Sequence, residues 1–530
     1  MTSDPADGAV GVARAISFSG TFSAEPAPST ITSATVQLTG PVGNTLPTTL
    51  TLNGATAKLN AIAGAVPGGT TYTVKLAPSI TDMQGRTLVA PYSRTFTTTA
   101  QSWNPTAADF GSLPHFTGGT FPTVAVDAAG NVFAAWSIRV TGVDTLFVAR
   151  RDAQTGAWST PLSLRTAQEP TFGIIYPPNV VTGPAGHVYL SWMERNFGTT
   201  TVQLARYTAS TDSWGAPVAV NAAPSGSVDP NGFVPVVDSR GNVTALAPTS
   251  DRVYATRLDS ASGTWSLPLA IEKPVTNNFI FGARLIVDGS DNVIAAWVQQ
   301  EDTVGARGIF SARYDVASGT WAPAQRVMLG QPAISAHVLS MAADSGGGVT
   351  MAWSRDPGLA GSAMAEASRF DRVANAWTAP VRVDSNPTGA FGPTVAVDAA
   401  GYSTVAWMQH DGIHSARLAP GSSQWSAPRQ ILVGSPRSDH VPAVTVDVAG
   451  NVSVIASQNQ NPIVVAIHYS ASDGQWRAPV GIGNPAVGDP VFALMPVTGI
   501  DRTGNVSAVW FAWNTVNGSP SYVVMSNHFK

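Results

Sequence analysis

From residue 103 onward a tryptophan followed two or three positions later by a proline recurs at nearly constant spacing: Trp158 to Pro161, Trp214 to Pro217, Trp265 to Pro268, Trp321 to Pro323, Trp377 to Pro380, Trp425 to Pro428 and Trp476 to Pro479. Successive tryptophans lie 56, 51, 56, 56, 48 and 51 residues apart by subtraction of those numbers. A second series runs out of phase with it. Asp127, Asp238, Asp288, Asp344, Asp398, Asp447 and Asp501 open short turns that mostly read Asp-x-x-Gly-Asn, and Gly183 takes the aspartate's place in the second unit. Repeats of this length are single supersecondary units that bury their faces only against copies of themselves.

Each unit reads as four short strands. The first alternates into the Asp turn, as in Thr123–Val126; the second usually carries a tryptophan, Trp136, Trp192, Trp297, Trp353, Trp407 or Trp510. The third ends in a basic residue (Arg150, Arg206, Arg257, Arg313, Arg369, Arg417, then His468), and the fourth holds the Trp-Pro pair. Four-stranded units of this kind predict a β-propeller. Eight units are expected. The last has no fourth strand before Lys530, whereas Ser102-Trp103-Asn104-Pro105 precedes the first unit and lies 55 residues before Trp158. The N-terminal strand is therefore expected to complete the last blade and remove the free sheet edges. The domains predicted are 1–100 and 101–530, with 101–110 as the closing strand.

Composition narrows the function classes. The net charge is −4 and the pI about 6.0, which provides no electrostatic footprint for nucleic acid or an anionic membrane. There is no cysteine, so disulfides, thiolate metal sites and cysteine nucleophiles are excluded together. No apolar run reaches the ~18–20 residues of a membrane span. Met1-Thr2-Ser3-Asp4-Pro5 shows no basic and apolar export signal. Abundant Thr, Ser, Gly and Asn with few Lys favours a secreted or cell-surface location.

Residues 1–100 lack tryptophan and the repeat. Ala34–Leu38 and Tyr72–Leu76 alternate with period two, and Asn53-Gly54 signals a hairpin. The order Tyr72-Thr-Val74, Asp82-Met-Gln-Gly85, Phe96-Thr-Thr98 resembles the bacterial Ig-like β-sandwich of surface-layer and secreted proteins. That resemblance implies a spacer or stalk outside the cell.

The repeated turn resembles three propeller families. Ala149-Arg-Arg-Asp152 to Trp158 and Ser311-Ala-Arg-Tyr-Asp315 to Trp321 look like the tryptophan-docking repeat of eight-bladed quinoprotein dehydrogenases, but their vicinal disulfide is impossible here and no set of cofactor ligands is found. Ser470-Ala-Ser-Asp473-Gly474-Gln-Trp476 is similar to the Asp-box of sialidase-type propellers, one residue short between Gly and Trp. The arginines, carboxylate and tyrosine of a sialidase centre have no counterpart. Propeller lectins, in which Trp and Arg recur between blades, are the third likeness. The plainer readings come first: the fourth-strand tryptophans pack between blades, and the third-strand arginines hold a turn carbonyl or a neighbour's aspartate. One anion or sugar site per blade is the other reading of the arginines.

Function is expected on the face built by the loops between second and third strands and between units, where the units differ. Aromatics that precede the first strands, among them Phe233, Phe279, Phe281 and Phe391, read mainly as plugs of a central channel, whereas His115, His337 and His440 at the same place are less expected from packing alone. Candidate ligand-binding residues are Arg139, Glu194, Arg195, Asp229, His337, Arg355, His410, Asp411, His440 and Asp489. Carboxylates and histidines that converged there would form a general acid–base pair. Serine-triad, zinc and P-loop motifs are absent, Asp288-Gly-Ser-Asp291-Asn292 reads as a turn rather than a calcium loop, and no cofactor or metal is expected.

The leading expectation is an extracellular binding or adhesion protein that recognises a glycan or a surface protein. A glycoside hydrolase or lyase is the alternative. A structural subunit of a surface assembly, which would self-associate, is the third.

Overall fold

The computed structural model describes all residues except 63–64, 111–117, 141, 169–171, 175–177, 197–198, 224–227, 230–232, 276–278, 301–305, 332–338, 356–362, 386–388, 437–440, 460–462, 484–491 and 517–518. Among the described residues there are ten β-sheets, two single-turn 3-10 segments and no α-helix. Two sheets belong to the N-terminal region. One pairs Thr2–Asp4, Ser17–Thr21, Thr56–Ala61 and Thr48–Asn53, and the other pairs Ala9–Val12, Tyr92–Thr98, Thr71–Leu76 and Val36–Thr39. Their inward-facing residues, including Phe18, Leu38, Leu59, Tyr72, Val74 and Phe96, form one core. Asn53-Gly54 makes the expected tight hairpin, with Asn53 opposite Thr56 and Gly54 at φ +54°.

The other eight sheets follow one another along the chain, spanning residues 118–168, 172–220, 234–270, 280–331, 340–382, 391–433, 443–481 and 492–529. Their strands pair in sequence order, first to second to third to fourth, by antiparallel hairpins. The fourth strand is broken where the sequence places proline: Ser213–Trp214 and Val218–Val220 are separate pairings to the third strand, with Pro217 between them. Proline lacks the N–H that would continue the ladder.

The first strands touch in order, Gly118–Val126 against Asn179–Thr182 and so on to Ala443–Val446 against Phe492–Ile500, which in turn touches Gly118–Val126. This closed ring of innermost strands is a β-propeller. The last sheet is completed from the other end of the chain as the spacing predicts. Ala108–Asp109 pairs with Ser526 and Met525, Trp103 bridges Phe529, and Ser102 and Lys530 exchange backbone hydrogen bonds of 3.1 Å. Trp103 thereby takes the place that Trp158 holds opposite Arg151 in the first sheet.

The second-strand tryptophans Trp136, Trp192, Trp297, Trp353, Trp407 and Trp510 are the largest fully buried side chains among the described residues. The fourth-strand tryptophans are half-buried. Trp214, Trp321, Trp377 and Trp476 lie 5.3–5.6 Å from the ring that ends the third strand of their own sheet, and join the apolar layer shared with the preceding sheet. They are packing residues between blades. Phe233 and Phe281 also enter these inter-sheet layers instead of plugging a channel, while Phe279 and Phe391 are exposed.

Candidate functional site

The ring has two ends of different character. At one lie the hairpins between second and third strands and the connections between sheets; at the other lie the Asp turns and the turns before the fourth strands.

At the loop end, several predicted site residues are held in local ion pairs. Glu194 lies near the end of the strand Val188–Asn196 and is buried. It accepts two bonds from Arg165 of the preceding sheet, 2.8 and 3.0 Å, and one from the indole N–H of Trp192, 2.8 Å. Arg139 forks onto Asp144 across its own hairpin at 2.6 and 2.7 Å. Arg355 donates to Glu366 at 2.9 Å, and Glu366 also accepts from Trp353 at 3.0 Å. The same device recurs where the sequence offered no signal: Arg252 with Glu272 at 3.0 Å and Arg382 with Asp384 at 2.6 Å. In each, a buried carboxylate lies under a partly exposed guanidinium, a charge-assisted arrangement worth roughly twice a neutral hydrogen bond.

Arg195 and His410 are exposed. Asp411 meets His414 at 3.0 Å, and its carbonyl accepts from Gln430. Asp229 is half-buried, with its N–H on the Pro248 carbonyl. His337, His440 and Asp489 lie outside the described residues. The structure therefore does not bring Glu194 into a free acid–base pair; it spends that carboxylate on an arginine and an indole.

The turn end is built from one repeated network. Asp127 Oδ1 accepts the N–H groups of Ala129 and Asn131, both at 2.9 Å, and Oδ2 accepts Asn131 Nδ2 at 2.8 Å. Asn131 Oδ1 then takes the N–H of Ala153, tying the Asp turn to the next turn of the sheet. Gly130 stands between them at φ +86°, where a side chain would be strained. Asn242, Asn292 and Asn451 repeat this tie to Ser260, Val316 and Ala471. The third-strand arginines complete it. Arg257 pairs with Asp238, Arg369 with Asp344 at 2.7 Å, Arg313 with Asp288 at 3.7 Å and Arg417 with Asp398 at 3.8 Å. The aspartate is that of the same sheet, where sequence reasoning offered a neighbour's; the turn carbonyl it also offered is met by Arg369, which donates to the Gly401 carbonyl of the next sheet. Turn N–H groups hold Asp152, Asp259, Asp315 and Asp371 below the usual carboxylate range.

At this end, between the fifth and sixth sheets, a cleft of about 670 Å³ is lined by residues of the turns 344–348, 371–378 and 418–425. Sequence reasoning missed it, although one signal was in view: Gly348 occupies the asparagine position of the repeat.

Residues 1–98 match the family model of the bacterial Ig-like domain. No curated protein matches the chain. Among solved structures, the Dos1 propeller is 8% identical and covers 78% of this chain and 93% of its own, with a TM-score of 0.45. Polysaccharide lyase Uly1 is 10% identical, covers 78% and 90%, and has a TM-score of 0.43. A mutant of the NanB sialidase from Streptococcus pneumoniae is 10% identical, covers 88% and 84%, and has a TM-score of 0.36. Likeness at this level concerns architecture. No helix among the described residues is long and apolar enough to cross a membrane.

Proposed function

We propose that the chain is a secreted or surface-attached binding protein in which an Ig-like spacer, residues 1–100, carries an eight-bladed propeller, 101–530, that recognises a glycan or a surface protein through its loop end. One observation carries the preference for binding over catalysis. The buried loop-end carboxylates Glu194, Asp144 and Glu366 are already neutralised, by Arg165, Arg139 and Arg355, and exposed Asp411 meets His414. A general acid must exchange a proton with substrate, and a carboxylate saturated by guanidinium and indole donors is poorly placed to do so. Exposed Arg195, His410 and Asp411 are the described groups offered to a ligand, and His337, His440 and Asp489 are added to them as part of the proposed surface.

Retention of the purified protein on an immobilised glycan panel, with and without calcium, tests this. Saturable binding to a narrow set, lost on Arg195→Ala and His410→Ala with the melting temperature unchanged, is the expected result. Turnover of any bound glycan would favour the enzyme. Concentration-dependent self-association without retention would favour the assembly subunit.

A further inference from the structure

The geometry points to a second, separate binding site at the turn end: the cleft between the fifth and sixth sheets, beside the turn where Gly348 stands in place of the repeat's asparagine, is a single site for a short neutral oligosaccharide. It does not rest on the loop-end reading.

The cleft lies where two parts of the repeat change side by side. In the first, third, fourth and seventh sheets an asparagine spans the gap between the Asp turn and the following turn. The fifth sheet reads Asp344-Ser-Gly-Gly-Gly348, so no side chain reaches the Arg372 N–H that corresponds to Ala153 N–H. A Cβ on Gly348 would stand 2.5 Å from Asp344 Oδ2 and 3.3 Å from an Arg369 nitrogen, so these two groups occupy the space the asparagine would fill. In the sixth sheet the turn before the fourth strand is Ala419-Pro420-Gly421-Ser422-Ser423, with Ala419 where Asp152, Asp259, Asp315 and Asp371 stand in the first, third, fourth and fifth sheets. Gly421, Ser422 and Ser423 therefore leave the far wall low and hydroxylated.

The lining chemistry selects the ligand. Trp425, Val373 and Val381 provide apolar surface, and Val373 is 91% exposed at the mouth. Asp344 and Arg369 are paired at 2.7 Å on the floor, and Asp371, Arg372, Thr378, Ser422 and Ser423 add donors and acceptors. Two carboxylates and two guanidiniums cancel, so nothing favours an anion or a cation over a neutral molecule. A sugar ring presents an apolar face and a rim of hydroxyls, which is the complement of this lining. The volume of about 670 Å³ falls within the ~300–1,000 Å³ of small-molecule sites and exceeds what one ring needs.

Cellobiose, lactose and N,N′-diacetylchitobiose, with triglycine as a zwitterionic control, would be offered to the full chain and scored by saturation-transfer NMR and titration calorimetry. Ser423→Tyr fills the cleft from its exposed far wall; Val373→Arg blocks its mouth from an exposed position. The expected result is binding of at least one disaccharide, weakened more than tenfold by either substitution, with the melting temperature of each variant equal to that of the parent. Absence of disaccharide binding, or preference for triglycine, overturns the proposal. So does disaccharide binding that survives both substitutions, an outcome that moves the site to the loop end and leaves the loop-end reading standing. Disaccharide binding at the cleft with no retention on the glycan panel after cleft blockage separates the two in the opposite sense.

Discussion

The third to sixth sheets and the last two solve the same electrostatic problem differently. In the third to sixth, the aspartate of the turn lies beneath an arginine from the third strand of the same sheet: Arg257, Arg313, Arg369 or Arg417. In the seventh and eighth that position is histidine. His468 Nδ1 lies 3.3 Å from Ser453 Oγ and His528 Nδ1 lies 2.9 Å from Ser507 Oγ, and burial pushes their pKa values down to about 4 and about 3. Neither ring carries charge to its turn. The N-terminal region covers these two turns instead, and supplies the cation. Arg14 donates to Asn505 Oδ1 at 3.0 Å and to the Thr503 carbonyl at 2.5 Å; burial lowers its pKa, and nearby Asp501 and Asp447 oppose that by favouring its charge. Around it Asn44 reaches the Val448 carbonyl, Asn451 reaches Thr70 and Gln101 reaches Asn505, while Ala449 is fully buried in the N-terminal core. The lesson is that a repeat position need not be filled by the repeat, provided another part of the chain brings the same charge.

The largest effect expected is from breaking the self-contained version. Arg257→Ala leaves Asp238, whose side chain is fully buried, without its countercharge; removing one partner of a buried pair costs about 3–5 kcal/mol. The urea midpoint of the variant should fall accordingly. A change within experimental error would show that the turn N–H groups suffice for that carboxylate, and the comparison with the last two sheets would lose its basis.

Next comes pH. A histidine whose folded pKa lies below its unfolded value of ~6.5 binds fewer protons folded than unfolded, so stability is full above ~6.5 and falls as pH drops towards about 4 for His468 and about 3 for His528. Asp447 runs the other way. Burial raises it to about 6, so its contribution is present at acid pH and lost as pH rises from 3.8 to about 6. Two histidines against one aspartate leave a net loss of about 1.4 kcal/mol per pH unit between roughly 6 and 4. His528→Gln, which keeps a partner for Ser507, should flatten that slope in denaturation curves measured at stepped pH. An unchanged slope would place the acid sensitivity outside the last two sheets.

Much of this architecture was legible because tryptophan, aspartate and arginine repeat at positions fixed by one unit. Trp103 announced the ring closure for that reason. The third-strand series was not followed past His468, because the eighth sheet has an unusually long hairpin, Val506–Val516 with Ser519–Phe529, which displaces His528 from the period. Register, with Ser507 opposite His528 as Ser453 is opposite His468, is the signal that recovers it. Arg14 had no sequence signal, since its partner Asn505 lies 491 residues away and outside the periodicity. The pairing of Glu194 was not legible for a similar reason: Arg165 belongs to the sheet before Glu194, and an unaligned loop does not reveal which strand of the neighbour faces it.

A more moderate loss is expected from Arg14→Ala, which removes two hydrogen bonds across the interface. At roughly 1 kcal/mol for each bond, it should cost about 2 kcal/mol. The readout is a rise in the radius of gyration and faster proteolytic release of the N-terminal region, with the propeller's own unfolding little changed. A double-mutant cycle with Asn505→Ala should show coupling; independent effects would mean that Arg14 acts by packing alone.

The smallest expected effect separates the residue from its partner. Arg206 occupies the same third-strand position as Arg257, but its sheet carries Gly183 where the turn aspartate should be. Its guanidinium is left over the Tyr189 ring at 5.8 Å, on an exposed side chain. An exposed cation–π contact is worth about 0.5–1 kcal/mol, so Arg206→Ala should move the urea midpoint several-fold less than Arg257→Ala. Equal effects would show that the arginine column stabilises through its packed stem. The observed ratio thus decides whether the column exists for the aspartates, which is the premise on which Arg14's role in the last two sheets depends.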